Sequence, residues 1–214
     1  MITVHHLNNS RSQRILWLLE ELEEPYDIVR YERVPPLMQA PPEMRKIHPV
    51  GKSPILTDGP HAIMESGAIV EYVLSRYGRG RLRPAAGSDE EVGYLQWMHY
   101  SEGSLMESLV FVIMARMKKD EMGSILPWLI GRAMRNLDYV ESVLSRQDYL
   151  VGDGLTGADF QIHGALETAA PMGLLETCPS CAAYVKRLQS RPAYRRAIDR
   201  GGPYELNFGA ADPK

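Results

Sequence analysis

The spacing of apolar residues changes several times along the first part of the chain. Ile2 to Leu7 is a short apolar-rich run that predicts a strand. After Ser10-Arg11-Ser12-Gln13, the apolar positions Ile15, Leu18, Leu19 and Leu22 fall at helical intervals, with the glutamates at 20, 21, 23 and 24 expected on the wet side. Pro25 stops the helix and Tyr26 to Tyr31 predicts a second strand. A strand, helix, strand run of this length is a right-handed crossover with parallel strands. A proline-rich stretch (Pro35, Pro36, Pro41, Pro42) then leads to two short runs, Pro54 to Thr57 and Ala62 to Met64. They flank Asp58-Gly59-Pro60-His61, and the Asp-Gly pair is a hairpin signal. Ile69, Val70, Val73, Leu74 and Tyr77 give a further amphipathic helix closed by Gly78. The order βαβ then ββα predicts a thioredoxin-like domain over residues 1–78.

Residues 79–88, rich in Gly, Arg and Pro, read as a linker. Beyond them the strand pattern gives way to helical spacing. One long helix is expected through Leu95, Met98, Leu105, Leu109, Ile113 and Met117, and a second through Leu126, Leu129, Ala133, Leu137, Val140 and Leu144. A third starts at Thr156, and shorter ones lie near Tyr184–Leu188 and Tyr194–Ile198. Residues 89–214 are therefore expected to be an all-helical bundle, making the whole chain α/β followed by all-α.

Composition narrows the function. The net charge of -3 supplies no global basic field for nucleic acid. No apolar run is long enough to span a bilayer, and the N-terminus has no signal-peptide pattern. With 2 cysteines a disulfide framework does not hold this chain together, and a reducing cytoplasm is the expected setting.

Five segments resemble the cytosolic glutathione transferases, in order and over essentially the whole length. They are His6 to Arg14, His48 to Leu56, Met64 to Ile69, Leu150 to Asp159, and Arg191-Pro192-Ala193-Tyr194. The resemblance implies a thioredoxin-like glutathione-binding domain, a helical domain supplying a hydrophobic-substrate pocket, glutathione as cosubstrate with no metal, and a cytoplasmic homodimer concerned with detoxification. The implied reaction is attack of the glutathione thiolate on a hydrophobic electrophile held between the domains.

The residue chemistry agrees with that ligand. Ser66 stands where a helix begins, so its hydroxyl and nearby N–H groups can receive a carboxylate. Glu65 beside it can take an ammonium, and in the family this acid–serine pair holds the γ-glutamyl end; the alternative is a helix cap at Ser66 and a solvated acid at Glu65. Ser53-Pro54 resembles the family's cis-proline dipeptide, whose first residue pairs with the cysteinyl unit like an added strand; an ordinary trans proline at a strand start is the alternative. Lys52 is the candidate for the glycine carboxylate, with Arg11 and Arg14 as alternatives. Ser10 begins the first helix, where the macrodipole favours a thiolate and a hydroxyl can donate to sulfur. It matches the catalytic serine of serine-type, theta-like bacterial members. Its structural alternative is a capping box with Gln13. Tyrosine-type members carry their tyrosine where this chain has His6, and cysteine-type members carry cysteine where it has Asn9, whose amide is the second candidate donor. For the hydrophobic substrate, Tyr100, Ser104, Met106, Met114 and Phe208 are the candidate lining.

Other signals have plainer readings. Cys178-Pro179-Ser180-Cys181 fits a helix start better than a zinc or redox site, since only His163 is near in sequence. His5 and His6 point to opposite faces of a strand and do not share an ion. Thr156-x-x-Asp159 reads as a helix cap. Two rival functions remain open at this point. One is glutathione-dependent disulfide or peroxide reduction by the same thiolate. The other is a non-enzymatic glutathione-binding or scaffold protein on the same fold.

Overall fold

The computed structural model describes residues 1–35 and 39–205. Over these residues the chain folds as two compact units, one of Met1–Arg83 with Gln189–Glu205 and one of Pro84–Leu188. A single cut at residues 79–88 does not describe this division, because the chain returns to the first unit after Leu188.

The first unit is built on a four-stranded mixed sheet of order β2-β1-β3-β4. Strand β1 (Ile2–Leu7) pairs in parallel with β2 (Tyr26–Tyr31), from Ile2 opposite Tyr26 to Leu7 opposite Tyr31. Helix α1 (Gln13–Leu22) makes the crossover. Strands β3 (Ile55–Asp58) and β4 (His61–Met64) form the hairpin, with Gly59 at φ 55° in its turn, and β3 lies antiparallel to β1. Helix α2 (Ser66–Tyr77) follows directly. This is the βαβ–ββα thioredoxin-like arrangement the apolar spacing predicts.

Helix α1 is covered all round rather than on one stripe: Ile15, Leu16, Trp17, Leu18 and Leu19 are fully buried. The late helix α8 (Pro192–Gly201) supplies the second cover, and Tyr194 meets the edge of Trp17 with ring centroids 5.5 Å apart. This corrects the expectation of a wet side for Glu20 and Glu21, whereas Glu23 is exposed as expected. Glu20 is buried and accepts from Tyr26 Oη (2.9 Å), Arg196 Nε (2.8 Å) and Arg200 Nη1 (3.1 Å). Glu21 accepts from Arg191 Nε and Nη2 at 2.5 and 3.0 Å. Burial alone would raise the Glu20 pKa, but the bonds from Arg196, Tyr26 and Arg200 outweigh it and hold the carboxyl below its usual range.

The second unit is helical, as expected. Its long first helix runs as α3 (Asp89–Tyr100), a π-helical stretch over Ser101–Met106, and α4 (Glu107–Met117). Helices α5 (Leu126–Leu144), α6 (Gly157–Ala169) and α7 (Pro179–Gln189) complete it. Nearly every residue of α6 is buried, and α3 and α4 both pack on it. The Thr156–Asp159 pair caps α6: the Asp159 carboxylate accepts from Thr156 N (2.7 Å), Thr156 Oγ1 (3.0 Å), Leu150 N (3.1 Å) and Tyr184 Oη (2.6 Å). Among the described residues no helix is long and apolar enough to cross a membrane.

Candidate functional site

The corner after β1 is where the first unit gathers its polar groups. Strand β1 ends at Leu7, and the chain turns through Asn8 and Asn9, the latter at φ 49°. Asparagine is among the residues that tolerate this left-handed conformation. Arg33, just past β2, fixes the turn by donating Nε to Asn8 O (3.1 Å) and Nη2 to Asn9 O (2.8 Å). Its own amide donates to Asn8 Oδ1 at 3.1 Å. Asn9 Oδ1 accepts from the amide of Glu205 at 2.8 Å, which leaves the Asn9 Nδ2 protons as its donors.

Ser10 follows, and its side chain is buried against two other serines. Ser10 Oγ lies 3.0 Å from Ser53 Oγ and 2.7 Å from Ser12 Oγ, and accepts from Ser12 N at 3.2 Å. The capping box drawn between Ser10 and Gln13 does not form. The N-cap of α1 is Ser12, and the Gln13 side chain, buried near Gly201, has no hydrogen-bond partner at either amide atom among the described residues. The chain instead makes a turn at this point, with Gln13 N donating to Ser10 O at 3.2 Å, so the helix starts later than the motif implies. Ser10 keeps one half of its structural alternative, the bond from Ser12 N to its Oγ, and lacks the reciprocal bond from Gln13.

Ser53 and Pro54 are joined by a cis peptide bond. Pro54 is buried and Lys52 exposed, and among the described residues Lys52 makes no ion pair. Glu65 stands at φ 69° as the N-cap of α2 and is exposed, while Ser66 is the buried first residue of the helix. Ser66 is therefore not the capping residue. Placing Glu65 in the left-handed region orients the chain so that the first N–H groups of α2, which have no helical acceptor, begin beside the Ser66 hydroxyl. An acidic side chain next to such a helix start can bind an amino-acid head group, with the ammonium on Glu65 and the carboxylate on the α2 end.

His6 lies behind this corner. Ser12 Oγ is 2.9 Å from His6 Nδ1, and the ring is buried. Burial, and then the charge of Arg30 on the neighbouring strand, lower the His6 pKa to about 4. His5, one residue earlier, faces the other way, with Nδ1 3.2 Å from Tyr31 Oη and Nε2 3.2 Å from Thr57 Oγ1. The two histidines have separate partners.

The candidate substrate residues fall in the second unit. Tyr100 Oη donates to Asn136 Oδ1 at 2.9 Å, and Asn136 Nδ2 donates to the carbonyl of Ser104 at 3.2 Å, so one asparagine ties these two together. Burial, with Tyr139 adding, pushes the Tyr100 phenol up to about 12. Met106 is part of the core and Met114 is exposed, so the two methionines lie in different surroundings. Phe208 lies outside the described residues. Cys178 and Cys181 are free and fully buried at the start of α7, whose first amides, Ser180 N and Cys181 N, donate to the Glu141 carboxylate at 3.0 and 2.9 Å. Burial raises both thiols, and Glu141 raises Cys181 further, which leaves them unionised and unreactive.

The structure thus brings Ser10 and Ser53 together across 43 residues of sequence and puts Glu65 and Ser66 at one helix start. Sequence reasoning missed Ser12, His6 and Arg33 as parts of this corner. Ser12 and His6 carried a signal, both lying in the His6–Arg14 segment that resembles the family, Ser12 also as a second small N-cap-type residue before the helix. The partnership of Arg33 with two carbonyls depends on tertiary approach.

Comparison with known proteins places these features in a family. The sequence profile of the glutathione S-transferase N-terminal domain matches residues 1–75, and that of the glutathione S-transferase C-terminal domain matches residues 110–195. Glutathione S-transferase 3 of Schizosaccharomyces pombe is 36% identical, with 94% of this chain and 88% of the relative covered. Glutathione S-transferase 1 of Saccharomyces cerevisiae is 31% identical, with 97% and 98% covered. Among solved structures, a glutathione S-transferase from Actinobacillus pleuropneumoniae superposes with a TM-score of 0.88 at 31% identity, covering 97% of this chain and 96% of its own. The glutathione transferase URE2P8 from Phanerochaete chrysosporium, solved with oxidized glutathione, gives 0.78 at 27% identity with 94% of each chain covered.

Proposed function

The chain belongs to the glutathione S-transferase family and is a transferase, and from that premise we propose that its first unit binds glutathione and uses the bound thiolate to attack a hydrophobic electrophile. In this reading Glu65 takes the γ-glutamyl ammonium, and Ser66 with the first amides of α2 takes the neighbouring carboxylate. Ser53 meets the cysteinyl unit, Ser10 and then Asn9 are the donors for the sulfur, and Lys52 takes the glycine carboxylate. The nucleophile belongs to glutathione, and the protein supplies binding, orientation and stabilisation of the thiolate.

The observation that carries the reading is the 3.0 Å approach of Ser10 to Ser53. The residue proposed for the sulfur and the residue proposed for the cysteinyl unit stand side by side, as one cysteine residue of a ligand requires. Tyr100, Ser104, Met106, Met114 and Phe208 are the proposed hydrophobic-substrate lining. The same reading extends to a cytoplasmic homodimer that removes electrophiles.

Calorimetric titration of glutathione into the purified protein tests the binding, with micromolar to millimolar affinity expected. Parallel assays with an aromatic halide and with a mixed disulfide of glutathione test the chemistry. Faster turnover of the halide is the expected result. Faster reduction of the disulfide would assign the thiolate to reductive chemistry, and absence of glutathione binding would overturn the reading.

A further inference from the structure

Behind Ser10 lies a row of hydroxyls that ends on a buried histidine. Ser53 Oγ, Ser10 Oγ, Ser12 Oγ and His6 Nδ1 follow one another at 3.0, 2.7 and 2.9 Å. Each hydroxyl owns one proton, so the row has a direction, and that direction decides whether Ser10 has a proton to offer outward. His6 fixes it. Its pKa of about 4 keeps the ring neutral, with one N–H. The backbone hydrogen bond with Gly201 favours a protonated ring nitrogen, so the ring donates there. The nitrogen at Gly201 is Nε2, which a Cβ on that glycine would approach to 3.4 Å. Nδ1 is then the bare nitrogen and takes the proton of Ser12. The carbonyl of Leu7, 3.4 Å from Ser12 Oγ, is a second inward acceptor for the same proton. Ser12 Oγ therefore accepts from Ser10, and Ser10 Oγ accepts from Ser12 N and faces the hydroxyl of Ser53.

We propose that Ser12, oriented by His6, holds the Ser10 proton turned inward and so gives bound glutathione a higher thiol pKa than Ser10 alone would set. The inference rests on Ser10 standing at the sulfur, as in the functional reading above. While the thiol is protonated, Ser10 can keep its bond to Ser12 and accept from the S–H group. On ionisation the S–H bond breaks and its proton leaves to solvent. No bond of Ser10 breaks; its O–H rotates from Ser12 to the sulfur, exchanging a neutral hydrogen bond for a charge-assisted one. The charge-assisted bond is the stronger, so the exchange goes forward, but its gain is reduced by the bond given up. Ser12 is thus a positioning residue that acts through Ser10. The same row could in principle relay the thiol proton to His6, but an imidazole with a pKa of about 4 is too weak a base to keep it at neutral pH.

Ser12→Ala tests the assignment. Ser12 is the N-cap of α1 yet makes no side-chain cap bond, so alanine removes no capping interaction. Ser12→Gly, also tolerated at an N-cap, serves if the alanine variant does not fold. The readout is the ultraviolet absorbance of the thiolate of bound glutathione, titrated against pH. The thiol pKa should fall by roughly half a unit to one unit when the Ser12 hydroxyl is removed. It should rise in Ser10→Ala, and the double variant should match Ser10→Ala alone. A thiol pKa that is unchanged or raised in the Ser12 variants overturns the proposal. Glutathione affinity is measured by calorimetry on the same samples. A wild-type protein that does not bind overturns the functional reading and this inference together, whereas normal binding with an unmoved thiol pKa overturns the Ser12 assignment alone.

Discussion

Ser66 and His6 have separable consequences, one for the ligand and one for the fold. If Ser66 receives the γ-glutamyl carboxylate, it acts on the ground and transition states alike. Ser66→Ala should then raise the Michaelis constant for glutathione with a smaller effect on kcat. The loss of a hydrogen bond to a charged group is about 1.5–3 kcal/mol, or roughly ten- to a hundredfold in affinity. Calorimetry on the folded variant checks this, and wild-type affinity would remove Ser66 from the site. His6 bears on stability. Its folded pKa of about 4 lies below the ordinary 6.5, so between those values the unfolded chain binds a proton that the folded one refuses. Stability attributable to His6 is complete above pH 6.5 and is lost as the pH falls through that window, by about 3 kcal/mol. In His6→Gln this slope should flatten, as measured by denaturant unfolding at a series of pH values. Parallel loss in wild type and variant would show that His6 titrates normally. Legibility at this scale followed chemistry that is local in sequence. Ser10, Ser53, Glu65 and Ser66 could be proposed from the sequence because each sits in a short motif. The buried state of Glu20 was not, since four glutamates in one stretch read as a wet face until Tyr26, Arg196 and Arg200 are seen to satisfy one of them.

Among the elements, helix α8 has a structural role that its sequence concealed. Arginines at this density are the ordinary mark of a wet helix face, whereas Arg191, Arg196 and Arg200 find their partners in Glu20 and Glu21 on α1. Close approach is concentrated at Gly201, the last residue of α8. A Cβ there would come within 2.7 Å of both Gln13 Oε1 and Leu16 Cδ1. Gly201→Ala should therefore destabilise by about 1–3 kcal/mol through overpacking. Gly131, inside α5, has nothing among the described residues within 4 Å of its would-be Cβ. Gly131→Ala should stabilise by about 0.5–1 kcal/mol, the ordinary helical gain. Thermal unfolding of the two variants gives opposite signs if α8 is seated as described, and equal signs would contradict the tight contact. Strands and helices themselves were well marked by apolar spacing, because β1 alternates with α1 over short, distinct periods. Which helix covers α1 was not marked, since that choice joins residues about 180 positions apart in contacts such as Arg200 to Glu20.

For the molecule as a whole, the placement of the cysteine pair in the unit that does not hold the proposed site makes it a control. Cys178 and Cys181 belong to the helical unit, and Ser10, Ser53 and Ser66 to the other. Replacing both cysteines with alanine should leave glutathione affinity and turnover near wild type. It should also lower stability by about 1 kcal/mol per buried sulfur removed, read from the melting temperature. Loss of turnover in a folded double variant would restore a dithiol role. The α/β-then-helical order of the chain was legible from the shift in spacing near residue 79, but the return of the chain to the first unit was not. That return sets an order of events during synthesis. A ribosome makes β1, α1 and the Asn9–Ser12 corner first and then all of residues 84–188. The pieces that shelter Trp17, neutralise Glu20 and Glu21 and engage the Asn9 amide come only with residues 189–205. The residues translated earliest are therefore completed last. The nascent chain therefore carries the bare flank of α1, with Trp17 and Leu16 uncovered, through the synthesis of the entire helical unit, and that apolar surface is closed only when residues 189–205 emerge.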